Sequence, residues 1–257
     1  MDAGTFTLNI RQTTLTPLVK TRFEEYAHFL SMYIQHFDYA ASYDEDFGDW
    51  ELNMFLLARL ENTVPRQYHN RIIPVVHRPG KDALEEFITY IDMKYDFIAI
   101  GSKPWPSPET WSAMKSKIAE CKNSTPSREI KTHFFGTLSQ ERLETRRPYS
   151  ADASSFAKAV AFDTLMIWND ETHHLDNAKL MDKTLTTEEI KKAGTTPQKG
   201  PPLINKAQQE KIRRLFGAKF GLDNLISSVE KCHLVNFYAI VEMETYLNQT
   251  NSTPSDN

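Results

Sequence analysis

The sequence predicts an α/β fold built on a parallel sheet. Short apolar runs alternate with longer amphipathic stretches through residues 18–162. Two of the runs, IIPVV (72–76) and FIAI (97–100), are apolar throughout, as strands buried on both faces are. Glycine is scarce, at 9 of 257 residues, which argues against a sandwich rich in tight turns. Strand–helix alternation implies right-handed βαβ crossovers. Either a (β/α)8 barrel or an open doubly wound sheet satisfies this pattern.

Taken in order, strands are expected near 2–6, 38–43, 72–76, 96–100, 131–135 and 149–152. Helices are expected over 18–37, 49–62, 81–94, 107–123, 140–147 and 155–162. In 81–94, Leu84, Phe87, Ile88 and Ile91 recur at helical spacing and predict one buried stripe. Ser107-Pro108-Glu109 reads as a helix start, with a capping hydroxyl and a proline in the first turn. Residues 163–169 predict one more strand, which closes a first domain at 169. The segment 170–205 reads as a polar linker or insertion. Residues 206–257 read as a helical appendage of two helices with a frayed tail.

Composition narrows the function. Thirty Lys and Arg against 34 Asp and Glu give a net charge of −4, so the chain is not basic all over. The basic residues concentrate locally. Residues 178–220 hold ten Lys or Arg and four acids. Lys211, Arg213 and Arg214 are the candidates for contact with a nucleic-acid backbone. No apolar run of 18 residues is present, so no membrane span is expected. No basic n-region followed by an apolar stretch opens the chain, so a cytoplasmic protein is expected. Two cysteines, Cys121 and Cys232, build neither a disulfide framework nor a four-cysteine zinc site. Neither GxGxxG nor GxxxxGK[ST] occurs, so those nucleotide cradles are not indicated.

What ends each apolar run is the informative feature. Asp2 lies in MDAGTF, Asp44 ends DYAASYD and His77 ends IIPVVH. Gly101 and Ser102 end FIAIGS, Gly136 ends THFFG, and Asp152 lies in YSADAS. In a parallel α/β barrel the strand C-termini converge on one face and carry the catalytic side chains. Three carboxylates and a histidine at such ends form a candidate site. An aspartate after a strand also serves as a helix cap or turn former, which is the competing structural role.

These motifs resemble the queuine/archaeosine tRNA-guanine transglycosylases, and most of all their phage and plasmid relatives. MDAGTFT (1–7) is similar to the DSGGFQ and LDSGAFS forms of the aspartate motif. YDEDFGDWELN (43–53) is similar to LDVIGD…N, and IIPVVHRPG (72–80) to PIPVFH. DFIAIGS (96–102) resembles a strand that ends in a Gly-Gly pair. HFFGT (133–137) followed by YSADASSF (149–156) resembles HGFG…SVDSSSW. The order holds across residues 1–168. The departures are specific. The CxCxxC…H zinc site of the tRNA enzymes is absent. Asp152 is followed by ASSF where those enzymes carry a CVLPTR-like segment.

The resemblance implies a TIM-type (β/α)8 barrel whose first two βα units are missing. That leaves a fragment, an open barrel, or one that a partner chain or second copy completes. It implies exchange of guanine for a free 7-deazaguanine base in tRNA or DNA, with no cofactor and no bound metal. Asp152 would be the nucleophile and Asp2 the general acid/base. Asp44, His77, Gly101, Ser102, Phe6, His133 and Gly136 would surround the base. Two other functions compete: a metal-dependent hydrolase using His77, His133, Asp44 and Asp152, and a non-catalytic nucleic-acid-binding module.

Overall fold

The computed structural model describes residues 17–101, 105–137, 139–152, 164–180, 202–226 and 228–252. The expected strand at 2–6 and the expected helix at 155–162 lie outside the described residues, as do Asp2, Phe6 and Ser102. The chain forms two compact units. One comprises residues 1–136 and 148–152; the other comprises 137–147 and 153–257.

The first unit holds two small parallel sheets that meet in the segment 72–76. Its strands are β1 (Ala40–Ala41), β2 (Ile72–Ile73), β3 (Val75–Val76), β4 (Phe97–Ile100), β5 (Lys131–Phe134) and β6 (Ser150–Ala151). Pro74 lacks a donor, so it divides one chain segment into β2 and β3. β2 pairs with β1, and β3 with β4. The carbonyl of Pro74 still accepts from the Ala99 N–H at 2.9 Å. β4 then pairs with β5, and β5 with β6, all parallel. Within each sheet the order is sequential, β1-β2 and β3-β4-β5-β6, without the reversal that defines a doubly wound sheet.

Four helices belong to this unit: α1 (Pro17–Tyr33), α2 (Trp50–Thr63), α3 (Asp82–Asp92) and α4 (Pro108–Ser124). Asp49 caps α2 by accepting the Leu52 N–H at 2.9 Å. Ser107 caps α4 from the expected position, accepting the Thr110 N–H at 3.2 Å. Sequential order with right-handed crossovers directs these helices to one face of the sheet. There Ile98, Ile100 and Phe134 are fully buried, and Trp111 of α4 meets Phe134 edge to face at 5.1 Å. The other face carries Ala41, Ile73, Val75, Phe97 and Ala99 as a second apolar cluster.

The buried stripe of α3 differs from the one the sequence predicts. Phe87 and Ile91 are buried as expected, but Leu84 and Ile88 are only half-buried. Ala83, Glu86 and Tyr90 take the remaining buried positions. The helix is turned because two polar side chains on it have buried partners at the strand ends.

The second unit corrects the expected domain boundary at 169. Strand β7 (Thr164–Asn169) does not extend the parallel sheet. It pairs antiparallel with β8 (His174–Lys179), register Ile167 to Asp176. The unit also contains α5 (Gln140–Arg146), α6 (Lys206–Phe216), α7 (Leu222–Ile226) and α8 (Val229–Ser252). Cys232 and Val235 of α8 are buried with Leu165 and Ile167 of β7. Asn236 is buried and its side-chain oxygen accepts the Met166 N–H at 2.8 Å. The expected second helix of the appendage is thus two helices, α7 and α8, with Ser228 between them accepting the Lys231 N–H. Helix α8 runs on to Ser252, into what the sequence reads as a frayed tail. Among the described residues, no helix is long and apolar enough to cross a membrane.

Candidate functional site

The strand C-termini of the first unit share one edge of the sheet. β1 leads to Asp44, β3 to His77, β4 to Gly101, β5 to Gly136 and β6 to Asp152. Ladder bonds run one residue beyond the strands. Gly101 N–H donates to Val76 O, Phe135 N–H to Ile100 O, and Asp152 N–H to Phe134 O. Alternation then sets His77, Gly101, Phe135 and Asp152 on one face, in one rung beyond Val75, Ala99, His133 and Ser150. Three strand spacings separate His77 from Asp152, about 14 Å along the sheet. The expected site residues therefore fall into two groups.

The first group is closed. His77 Nε2 lies 3.0 Å from Asp44 Oδ2. Asp44 is 3% exposed, and Ser42 Oγ donates to its Oδ1 at 3.1 Å and its Oδ2 at 3.0 Å. A carboxylate only accepts, so His77 Nε2 is the donor in this pair. Nδ1 is buried without a hydrogen-bond partner. The Nε2 donor that the resemblance would aim at a purine carbonyl is directed at Asp44 instead. Phe47 stacks on the imidazole at 4.0 Å and 8°. The loop carrying Phe47 is pinned by Asn53, which donates to Asp46 O at 2.7 Å and accepts the Glu45 N–H at 3.1 Å.

Gly101 belongs to this group for a steric reason. A Cβ there would stand 3.0 Å from Val75 Cγ1 and 3.1 Å from His77 Cε1. The absent side chain makes room for the His77 ring.

Behind His77 sits Glu86, which the sequence reading passed over. It is 1% exposed. Its Oε2 accepts the backbone N–H groups of His77 at 3.0 Å and Arg78 at 2.9 Å. Tyr90 donates to its Oε1 at 3.3 Å. Burial pushes the Glu86 carboxyl up to about 7, against the lowering effect of those N–H groups and of His77. The same burial raises the Tyr90 hydroxyl well above its ordinary range. The signal available in the sequence is that Glu86 lies in helical phase with Phe87, Tyr90 and Ile91.

The second group is open. Asp152 Oδ1 accepts the Gly136 N–H at 2.8 Å, and Gly136 holds φ +68°, a conformation that favours glycine. His133 Nε2 stands 3.8 Å from Asp152 Oδ2, and its Nδ1 meets Ser150 Oγ at 2.9 Å. Burial works to raise Asp152, but His133 and the Gly136 N–H outweigh it and hold the carboxyl below its usual range. Its side chain is 52% exposed. Asp152 is therefore ionised and accessible, the state a carboxylate nucleophile requires. Among the described residues, no group of three or more His, Cys, Asp or Glu is gathered as a metal-binding set. The four residues named for a hydrolase sort into the two pairs just described.

The basic helix α6 divides in the same way. Lys211 donates to Trp168 O at 2.7 Å and Asp170 at 2.9 Å, with Glu242 at 3.6 Å. Its side chain is 13% exposed, so its ammonium is spent inside the unit rather than on a phosphate. Arg214 is exposed. Arg213 is exposed too, with Glu210 at 3.9 Å. Neither a protein-family model nor a curated protein matches this chain.

Proposed function

We propose that the protein is a base-exchanging transglycosylase acting on guanine in tRNA or DNA, on a (β/α)8-type barrel to which the sequential sheet belongs. The observation that carries this reading is Asp152, an ionised and half-open carboxylate at a strand C-terminus, on one sheet edge with Asp44, His77 and Gly101. Asp152 attacks C1′ of the nucleoside. The C1′–N9 bond breaks, its electron pair leaves with guanine, and an acid protonates the departing base; resemblance gives that role to Asp2. The incoming 7-deazaguanine gives up its N9 proton to the carboxylate that protonated guanine, by resemblance Asp2, and displaces Asp152 from C1′, with net retention. Gly136 N–H and His133 favour the ionised carboxylate before the first displacement and again as it is released in the second. The resemblance of six segments to the transglycosylases supplies the substrate class, a nucleic acid with a free deazapurine. It also supplies the cytoplasmic setting such substrates require.

The test is exchange of labelled guanine into tRNA and into DNA by the wild-type protein and by Asp152→Asn. Asn keeps the shape and is a far weaker nucleophile, so exchange and covalent trapping fall at least a hundredfold, to about background. Equal exchange in both proteins removes Asp152 from the chemistry.

A further inference from the structure

We propose that Glu86 is a positioning residue that holds His77 on Asp44 through the backbone N–H groups of His77 and Arg78, and that this grip is released by a proton. Both N–H groups converge on one oxygen, Oε2, from two consecutive residues just beyond β3. That bond pair fixes the backbone from which the His77 ring reaches Asp44 Oδ2 and lies over Gly101. No solvent competes, because Glu86, Asp44, Tyr90 and His77 are all buried. An ionised Oε2 is the stronger acceptor for two donors, by the usual advantage of charge-assisted bonds.

The proton has a place to go. Tyr90 Oη lies 3.3 Å from Glu86 Oε1 and 3.4 Å from Val75 O. With Glu86 ionised, Tyr90 donates to Oε1. When a proton from solvent is taken up on Oε1, that O–H donates to Tyr90 Oη, and Tyr90 turns its own proton to Val75 O. Oε2 is then a neutral carbonyl oxygen with a weakened hold on the two N–H groups. The charged and titratable groups facing Glu86 are Asp44 beyond β1, His77 and Arg78 beyond β3, and Tyr90 on its own helix. The Arg78 guanidinium is directed to Asp82 at 3.3 Å and Glu85 at 3.5 Å. Its contribution to Glu86 is therefore its backbone donor. Burial brings the exchange of proton to about pH 7, which makes the grip sensitive in the neutral range.

The proposal rests on the Asp44–His77 pair being part of the exchange site, but its test uses no substrate. Carboxyl carbon and backbone amide resonances are followed by NMR from pH 5 to 9 in wild type and in Glu86→Gln. In wild type, the Glu86 carboxyl titrates with a midpoint of about 7, and the His77 and Arg78 amides shift with the same midpoint. In Glu86→Gln the step in the Arg78 amide is lost. A Glu86 carboxyl titrating in the ordinary carboxylate range overturns the proposal, and so does an Arg78 step that survives unchanged in Glu86→Gln. Should that variant not fold, the wild-type titration decides alone. Failure of guanine exchange leaves this result standing, and absence of the NMR step leaves the exchange reading standing.

Discussion

Asp44 and Asp152 follow parallel strands of the same unit, β1 and β6, yet their surroundings are opposites. Asp44 is sealed, and its two oxygens are taken up by Ser42 and His77. Asp152 spends one oxygen on Gly136 N–H and keeps the other within reach of solvent and His133. The difference teaches how one sheet edge supplies both a rigid frame and a reactive group. A carboxylate whose partners are all internal contributes order. One with an open oxygen, held ionised by a backbone donor, contributes chemistry.

Removing each carboxylate breaks this comparison most directly. Asp44→Ala leaves the His77 N–H and the Ser42 hydroxyl buried without an acceptor. Breaking a buried pair in this way costs about 3–5 kcal/mol. Asp152→Ala removes a half-exposed charge and costs under about 1 kcal/mol. Urea unfolding of both variants at neutral pH checks the ordering. Equal losses of stability sink the distinction between a closed and an open group.

The second test sharpens it through pH. Glu86 is the extreme closed case, with a carboxyl raised from 4.5 when unfolded to about 7 when folded. Between these values the folded state binds more protons than the unfolded one. Stability from this group is therefore fully present below about pH 4.5 and is lost as pH rises through about 7. Two and a half pH units of linkage amount to about 3 kcal/mol. Asp152 has the opposite sign: its depressed carboxyl adds stability at neutral pH that falls away in acid. The other carboxylates cancel when wild type is compared with Glu86→Gln. Unfolding at pH 5 and pH 8 should show wild type losing about 2.5 kcal/mol more than the variant over that interval. Parallel slopes would contradict a buried, titrating Glu86.

The sequence reveals positions in this molecule better than partnerships. All five described strand segments fall at the expected places, and three of them, 40–41, 72–76 and 97–100, are buried on both faces and so leave an apolar signature. It also marks Asp44, His77, Gly101, Gly136 and Asp152 as strand ends. It does not show that His77 folds back over Gly101, since that depends on the path of the loop after each strand. Glu86 is hidden for a related reason. Hydropathy assigns a charged side chain to solvent, and only the two N–H groups of residues 77 and 78 explain its burial. Residues 163–169 read as a strand and 164–169 form one, but an apolar run does not say which neighbour it will pair with. The turn to β8 through Asp170–His173 carries no Asn-Gly or Asp-Gly signal to announce a hairpin.

The smallest expected effect on stability comes from the basic helix, where the same contrast recurs. Lys211 is closed on Trp168 O and Asp170, whereas Arg213 and Arg214 are open. Arg213→Ala with Arg214→Ala should change stability by no more than about 0.5 kcal/mol, as exposed substitutions do. If the helix touches a polynucleotide backbone, each arginine releases counterions when it meets a phosphate. Losing both then flattens the plot of log affinity against log salt by about 1.4 on a single strand and about 1.8 on a duplex. Lys211→Ala should leave that slope alone and lower stability instead, because Asp170 and Glu242 lose their shared cation. Salt-dependent binding of a labelled tRNA and a labelled DNA duplex measures both variants. A slope that drops for Lys211→Ala and not for the arginine pair would reverse the assignment. It would show that an ammonium closed on its own fold opens to meet a phosphate.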